Sequence, residues 1–186
     1  ISDLDNDGDV DLVANDGDAT IRCILNDGAG NFTTSQSIES NGSNTDNIHT
    51  TDLDNDGYKD ILFTNADGSN LLYYKNNGDG TFATEEHEII TSISSTDIYP
   101  ADLNNDGNTD MLWVDYNIIA WIPNNGDETF GDVQIISNQA DNTAIVLAAD
   151  VDNDGDIDVL SASRYSSINP LITINKIVWF SNNGNG

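Results

Sequence analysis

A nine-residue aspartate-rich motif recurs four times along the chain at nearly constant spacing. Its pattern is Asp, any residue, Asp or Asn, any residue, Asp, Gly, two variable residues and Asp. The copies, hereafter the Asp loops, occupy residues 3–11, 52–60, 102–110 and 150–158, so successive copies begin 49, 50 and 48 residues apart. A fixed period of this length indicates internal structural repeats and is typical of propeller blades or arrays.

A second motif follows each Asp loop and keeps the same register. Each copy begins with Asn-Asn-Gly or Asn-Asp-Gly, and three of the four copies end in Phe. These copies, hereafter the Asn turns, occupy residues 26–32, 76–82, 124–130 and 182–186. Two motifs that share one period over the whole chain exclude a chance scatter of acidic residues.

The segments between the motifs predict short strands. In the second repeat, four runs rich in β-branched, aliphatic and aromatic residues are Ile48–Thr51, Ile61–Phe63, Leu71–Tyr74 and Thr81–Ile90. Such runs, separated by Asn, Asp and Gly, predict a four-stranded antiparallel meander. A lone meander cannot bury both faces, but neighbours stacked around an axis cover them. We therefore predict an all-β chain, a β-propeller segment of four-stranded blades, with an open solenoid of sheets as the alternative.

The repeats divide residues 1–186, taken as one propeller segment, into blades at about 1–40, 41–93, 94–140 and 141–186. We expect the first and last blades to be incomplete and to combine with further blades, either from a parent chain or from a second copy. One position of the third strand is predicted to pack between blades in every repeat. It is occupied by Cys23, Tyr73, Trp121 and Trp179.

The chemistry of the Asp loop favours calcium. Side-chain oxygens at positions one, three, five and nine converge if the chain turns sharply at the Gly in position six, and position seven adds its backbone carbonyl. These are all hard oxygen ligands in a flexible loop, which suits Ca²⁺ over Zn²⁺, copper or Mg²⁺. Several carboxylates within nine residues would also repel one another without a cation. An EF-hand is excluded, because its bidentate Glu at position twelve is absent and strands flank the loop.

We predict about four calcium ions, one per repeat, held by the same positions in every loop. The predicted side-chain ligands are Asp3, Asp5, Asp7, Asp11, Asp52, Asp54, Asp56, Asp60, Asp102, Asn104, Asp106, Asp110, Asp150, Asp152, Asp154 and Asp158. The predicted carbonyl ligands are those of Asp9, Tyr58, Asn108 and Asp156. Asn104 carries no charge where the other loops have Asp, so we expect the third site to bind calcium most weakly.

The charge of the chain restricts its partners. It has 33 Asp and Glu against 5 Lys and Arg, and its formal net charge is −28. Nucleic acid and anionic membranes would be repelled by this field. No apolar run approaches the roughly 18 residues that a membrane span requires, so membrane insertion is not expected. The five cationic side chains are spread over the repeats, which also disfavours an anionic polysaccharide as the partner.

The two motifs together resemble FG-GAP and VCBS-type repeats, the blades of integrin α-subunit propellers and of many secreted bacterial proteins. The resemblance rests on the Asp loop combined with Asn76-Asn-Gly-Asp-Gly-Thr-Phe82, extends over all four repeats, and is closer to the bacterial branch. It implies a calcium ion in the loop between the first two strands of each blade. It also implies an extracellular or cell-surface protein that adheres, binds glycans or forms part of a larger enzyme.

We therefore expect a secreted, non-enzymatic module that recognises a glycan or an extracellular protein. The alternatives are the propeller portion of a secreted polysaccharide-degrading enzyme and a purely architectural spacer. The Asp loop and the Asn turn are expected at the same end of each meander, which leaves the opposite end for variable loops. The longest of these, Ser161–Pro170, contains Arg164 and Tyr165, which we consider as candidate ligand-binding residues.

Overall fold

The computed structural model describes residues 1–17, 19–40, 45–140, 143–166 and 173–184, without the side chains of residues 164–166 and 173–175. Within these ranges the chain is built of β-strands, and no helix long and apolar enough to cross a membrane is present. The strands are β1 Leu12–Asn15, β2 Thr20–Asn26, β3 Phe32–Glu39, β4 Thr45–Thr51, β5 Asp60–Asn65, β6 Asn70–Tyr74, β7 His87–Thr91, β8 Asp97–Ala101, β9 Asp110–Val114, β10 Ile119–Ile122, β11 Gln134–Ser137, β12 Thr143–Ala149, β13 Asp158–Ser166 and β14 Thr173–Phe180.

The strands form four antiparallel sheets in which neighbours in sequence are neighbours in space. Their orders are β1-β2-β3, β4-β5-β6-β7, β8-β9-β10-β11 and β12-β13-β14. The second and third sheets are the predicted four-stranded meanders. In the first repeat, an isolated antiparallel bridge between Ser2 and Asp11 occupies the place of the first strand pair. The predicted all-β class and the antiparallel meander are confirmed.

The chain divides into two compact units, Ile1–Ile93 and Ser94–Gly186. In the first unit, the facing sides of the first two sheets share one apolar core. It contains Leu4, Ile21, Cys23, Ile38, Ile61, Phe63, Leu72, Tyr74 and Phe82. Phe63 and Tyr74 stack with ring centroids 5.2 Å apart, which adds aromatic contact to the buried area. Strands β5 and β6 are buried along almost their whole length, as their continuous apolar runs indicate.

The second unit repeats this arrangement between the third and fourth sheets. Its core contains Leu103, Leu112, Val114, Ile119, Trp121, Ala140, Val146 and Val159, and Phe180 packs against it. Trp121 is therefore buried between two blades, as predicted, and Cys23 is buried in the core of the first unit. Tyr73 is also buried and stacks on His87 at 4.9 Å.

Trp179 differs from its three counterparts, because its side chain is 47% exposed. Within the described residues no neighbouring blade buries it, so inter-blade packing stays a prediction for this residue. Strand residues alternate between the two faces of a sheet, and the adjacent Phe180 packs against the core shared with the third sheet. Trp179 thus lies on the other face of the fourth sheet. Ile177, two residues earlier, is likewise exposed.

Two further expectations differ from the structure. The outer strand of the second repeat begins at His87 rather than at Thr81, because Phe82 forms only an isolated bridge with Asn76 before the chain turns. The predicted loop Ser161–Pro170 is also wrong in its first part, since β13 runs through Ser166. Arg164 and Tyr165 pair with Asn175 and Ile174 of β14, so the longer spacing in this repeat comes from a longer hairpin. Residues 167–172 lie outside the described ranges.

Candidate metal centre

The four Asp loops share one backbone conformation. Position four has a left-handed backbone in every loop, with φ of 58° at Asn6, 60° at Asn55, 59° at Asn105 and 60° at Asn153. Asn tolerates this conformation better than most residues, and all four loops have Asn at this position. The Gly at position six has φ between 90° at Gly107 and 97° at Gly155, which a side chain would strain. The predicted sharp turn is confirmed.

The first Asp of each loop receives the glycine amide and so closes the turn. Its Oδ2 accepts a hydrogen bond from the N–H of position six, at 3.0 Å in the first and third loops, 2.9 Å in the second and 3.1 Å in the fourth. This bond joins residues five positions apart. In the second and third loops the other oxygen, Oδ1, also accepts a hydrogen bond, from the N–H of position five at 3.2 Å. The loop is therefore folded around its carboxylates by its own backbone.

The Asp at position nine is buried and acts as a clamp between the two motifs. In the second repeat, Asp60 Oδ2 accepts from Leu53 N–H at 3.0 Å, and Asp60 Oδ1 accepts from Asn76 N–H at 2.9 Å. The same pair of bonds occurs at Asp11, Asp110 and Asp158. The Asp loop and the Asn turn therefore lie at the same end of each sheet, as expected.

Carboxylates from three positions converge in three of the loops. One oxygen from each member lies within 4.8 Å of the others in the clusters Asp3–Asp5–Asp11, Asp52–Asp54–Asp60 and Asp150–Asp152–Asp158. The third loop offers the uncharged Asn104 at position three. The predicted ligands at positions one, three and nine are thus brought together, and the donor set of hard oxygens fits a cation such as Ca²⁺.

Two of these clusters contain an oxygen that the protein itself leaves unsatisfied. Oδ1 of Asp3 and Oδ1 of Asp150 are buried and have no hydrogen-bond partner among the described residues. Burying an anionic oxygen without a partner is costly, whereas a bound cation would satisfy it. The residues present therefore fit a metal ion at these positions.

The carboxylates at position five are arranged differently. Asp7, Asp56, Asp106 and Asp154 each accept the N–H of the residue two positions later, at 2.8 to 3.0 Å. They are exposed and lie outside the clusters formed by positions one, three and nine. Their role as ligands, and that of the carbonyls at position seven, stays a prediction.

The second and third Asp loops show the electrostatic strain of collected carboxylates. Burial, with a smaller contribution from the charges of Asp54 and Asp56, raises the pKa of Asp60 to about 6 against two opposing backbone hydrogen bonds. Burial likewise raises the pKa of Asp110 to about 6, with Asp106 and Asp102 contributing. A cation beside these groups would favour their ionised forms.

The Asn that opens each Asn turn ties the repeat together. Asn76 Nδ2 donates to the carbonyls of Leu4 and Lys59, both at 2.9 Å, and so joins the Asp loops of the first and second repeats. Asn182 Nδ2 does the same in the second unit with Leu103 and Ile157, at 2.6 and 3.0 Å. Sequence reasoning identified this Asn only as a turn residue.

Replacing Asn76 by Ala should destabilise the first unit by about 2 kcal/mol, because the buried bond to the Leu4 carbonyl and the partly buried bond to the Lys59 carbonyl are lost. The matched control is Asn77→Ala, which removes an exposed amide bonded to Thr81 Oγ1 and should change the free energy of unfolding by less than about 0.5 kcal/mol. Urea unfolding of both variants measures the difference. Equal losses in the two variants would show that Asn76 does not act as the tie.

Neighbouring Asp loops within a unit are also bonded directly. Asn6 Nδ2 donates to the carbonyl of Gly57 at 3.0 Å, and Asn105 Nδ2 donates to Asp156 Oδ1 at 2.5 Å. In the first and third loops the Asn at position four therefore adopts the left-handed turn and also bonds the next loop.

Comparison with known proteins places the repeats in a family. The FG-GAP-like repeat family matches residues 3–63, 52–113 and 102–161, each match running from the start of one Asp loop to three residues past the end of the next. The chain belongs to this family. The predicted resemblance is confirmed, and the matches include all four Asp loops. A search of curated proteins found no match.

Two solved structures show the fold to which these repeats contribute. One is a lectin of Agrocybe aegerita described as specifically recognising non-reducing terminal N-acetylglucosamine. It is 19% identical with a TM-score of 0.67, and the match covers 99% of this chain and 52% of the lectin. The other is the Tc holotoxin pore of Photorhabdus luminescens, 17% identical with a TM-score of 0.59, for which the match covers 94% of this chain and 8% of that one.

These likenesses show the fold alone, and the chain spans about half the length of the lectin. Together with the four meanders, they confirm the β-propeller class that the repeat period predicts. Each FG-GAP-like blade carries its Asp loop between the first two strands, as β4–β5 and β8–β9 illustrate.

Proposed function

We propose that the chain is a calcium-binding β-propeller module of a secreted or cell-surface protein, and that it recognises a glycan or an extracellular protein without catalysing a reaction. Calcium would occupy about four sites, one per Asp loop. The observation that carries the metal assignment is the buried, unpartnered carboxylate oxygen of Asp3 and of Asp150, each beside two further carboxylates. Extracellular calcium at millimolar levels fills sites that are too weak for the cytosol.

The role of the ion would be structural. Positions one, three and nine would hold it, and its charge would offset the repulsion between their carboxylates. The same Asp at position nine also clamps the Asn turn, so the ion and the backbone hydrogen bonds act on one side chain. Calcium would in this way order the end of each blade at which the two motifs meet.

The recognition part of the proposal is supported by a cleft in the second unit. It has a volume of about 330 Å³ and lies between the third and fourth sheets, lined in part by Trp121, Gln134, Ile135, Phe180, Asn182 and Asn183. Apolar walls with a few amide groups are typical of small-ligand sites. A sugar offers apolar C–H faces and hydroxyl groups that match such a lining. The lectin of similar fold makes terminal N-acetylglucosamine the first sugar to test.

A glycan array in calcium and in chelator tests the recognition function. We expect selective binding in calcium that is lost in chelator, because the blade ends lose their order. Gln134→Ala should weaken the selected glycan at least about tenfold if its amide bonds the sugar, and the exposed Gln139 outside the cleft provides the matched control. Binding that survives Gln134→Ala but is lost in an Arg164→Ala/Tyr165→Ala variant would move the site to the β13–β14 hairpin. No binding by a folded, calcium-loaded sample would contradict glycan recognition.

A further inference from the structure

The second Asp loop contains a cation supplied by the protein. The ammonium group of Lys75 forms an ion pair with Asp54 Oδ2 and lies 4.0 Å from Asp56 Oδ2. The side chain of Asp54 is only 10% exposed and that of Lys75 is 35% exposed, so the pair is partly shielded from water. Asp54 is also a member of the carboxylate cluster of this loop. Lys75 therefore binds a carboxylate that would ligate calcium.

The backbone holds Lys75 at this place. Its carbonyl accepts a hydrogen bond from Ala83 N–H at 2.8 Å, and the next residue, Asn76, donates its N–H to Asp60 Oδ1 at 2.9 Å. The first bond joins Lys75 to the far end of the Asn turn. The second holds the adjacent Asn76 against Asp60, the clamping residue of the same Asp loop. Its reach to Asp54 follows from the fold and needs no rearrangement.

The equivalent position is uncharged in the other repeats. The residue immediately before the Asn turn is Leu25 in the first repeat, Pro123 in the third and Ser181 in the fourth. The second loop has four Asp at the predicted ligand positions, and Lys75 reduces their combined charge by one. The third loop has the same combined charge at its ligand positions, because it has Asn104 where the other loops have Asp.

We propose that Lys75 is an internal counter-ion of the second Asp loop, which lowers the calcium affinity of that loop and stabilises it when calcium is absent. This inference rests on the proposed calcium binding. The ammonium group competes with the ion for Asp54 and adds a positive charge beside the site. Both effects weaken calcium at this loop, and the same ion pair reduces carboxylate repulsion in the empty loop.

The test follows calcium binding loop by loop. The glycines at position six, Gly8, Gly57, Gly107 and Gly155, each lie in one Asp loop, and their amides donate to its first carboxylate. In a sample labelled with ¹⁵N-glycine, their assigned amide signals report the filling of each site separately. Lys75→Met keeps the aliphatic stem and removes the charge. It should lower the calcium midpoint at Gly57 roughly tenfold and leave the other three within about twofold.

Lys59→Met is the matched control, because it removes one positive charge from the same loop. Lys59 is exposed and forms no ion pair within the described residues, so solvent and salt screen its charge. We expect Lys59→Met to shift the Gly57 midpoint less than about threefold, and Lys75→Arg, which keeps the charge, to behave like the parent. In chelator, Lys75→Met should melt at a lower temperature than Lys59→Met.

The outcomes separate this inference from the calcium proposal. Equal Gly57 midpoints in Lys75→Met and Lys59→Met would overturn the role of Lys75 while leaving calcium binding in place. Weaker calcium binding at Gly57 in Lys75→Met would overturn it as well, because Lys75 would then support the site. If none of the four glycine amides of the parent chain responds to calcium, the proposed metal sites fail and the inference fails with them.

Discussion

Removal of calcium is expected to lower the melting temperature of the chain by roughly 20 °C. A ligand that binds only the folded state at a hundred times its dissociation constant contributes about 2.7 kcal/mol per site, so four sites contribute on the order of 10 kcal/mol. For a chain of this size, 1 kcal/mol corresponds to about 2–4 °C. The effect is large because each loop collects several carboxylates that only a cation neutralises.

Differential scanning calorimetry of a metal-free sample, repeated with excess calcium, measures this change. Magnesium at the same concentration is the control for ionic strength and divalent charge, and it should recover only a small part of the shift, since it dehydrates reluctantly and requires an octahedral site. A melting temperature that chelator moves by less than about 2 °C would show that the Asp loops are not structural calcium sites.

The features that the sequence predicts well are those determined by a few neighbouring residues. The Asp loop, its glycine turn and the strands on either side depend on local pattern, and the four copies supply the register. The direction in which Trp121 points also follows from strand alternation within an identified repeat. These predictions do not depend on how the sheets pack against one another.

The features that the sequence does not predict depend on contacts between distant residues. Asn76 lies 72 residues from its acceptor Leu4, and Gln36 lies 46 residues from the backbone of Phe82, to which its amide both donates and accepts. Such bonds are set by the stacking of sheets. The pair Lys75–Asp54 spans 21 residues and likewise depends on how the Asn turn folds over the Asp loop.

At position nine, the sequence predicts the residue but only one of its two roles. The sequence identifies Asp60 as an oxygen ligand because it completes the spacing of the loop. It does not reveal that the carboxylate is buried and already accepts two backbone amides. The extended β13–β14 hairpin is not evident from the sequence for a related reason, since the composition of Ser163-Arg-Tyr-Ser166 occurs in polar loops as well as in strands.

The dual role of position nine leads to a second large expected effect. Asp60→Ala should destabilise the chain by about 4 kcal/mol in calcium and by about 2 kcal/mol in chelator. In both conditions the N–H groups of Leu53 and Asn76 lose their acceptor, which costs about 1–3 kcal/mol each. In chelator, removing one carboxylate also relieves repulsion from Asp54 and Asp56, and this offsets part of the loss.

Asp56→Ala is the matched control, because it removes a carboxylate from the same loop at an exposed position outside the cluster. Its loss in chelator should stay within about 0.5 kcal/mol, so only Asp60 remains costly when the metal is gone. Chemical unfolding of both variants, with and without calcium, gives the four values needed. If Asp60→Ala were neutral in chelator, the carboxylate would act solely through the ion, and the backbone clamp would contribute nothing to the stability of the blade.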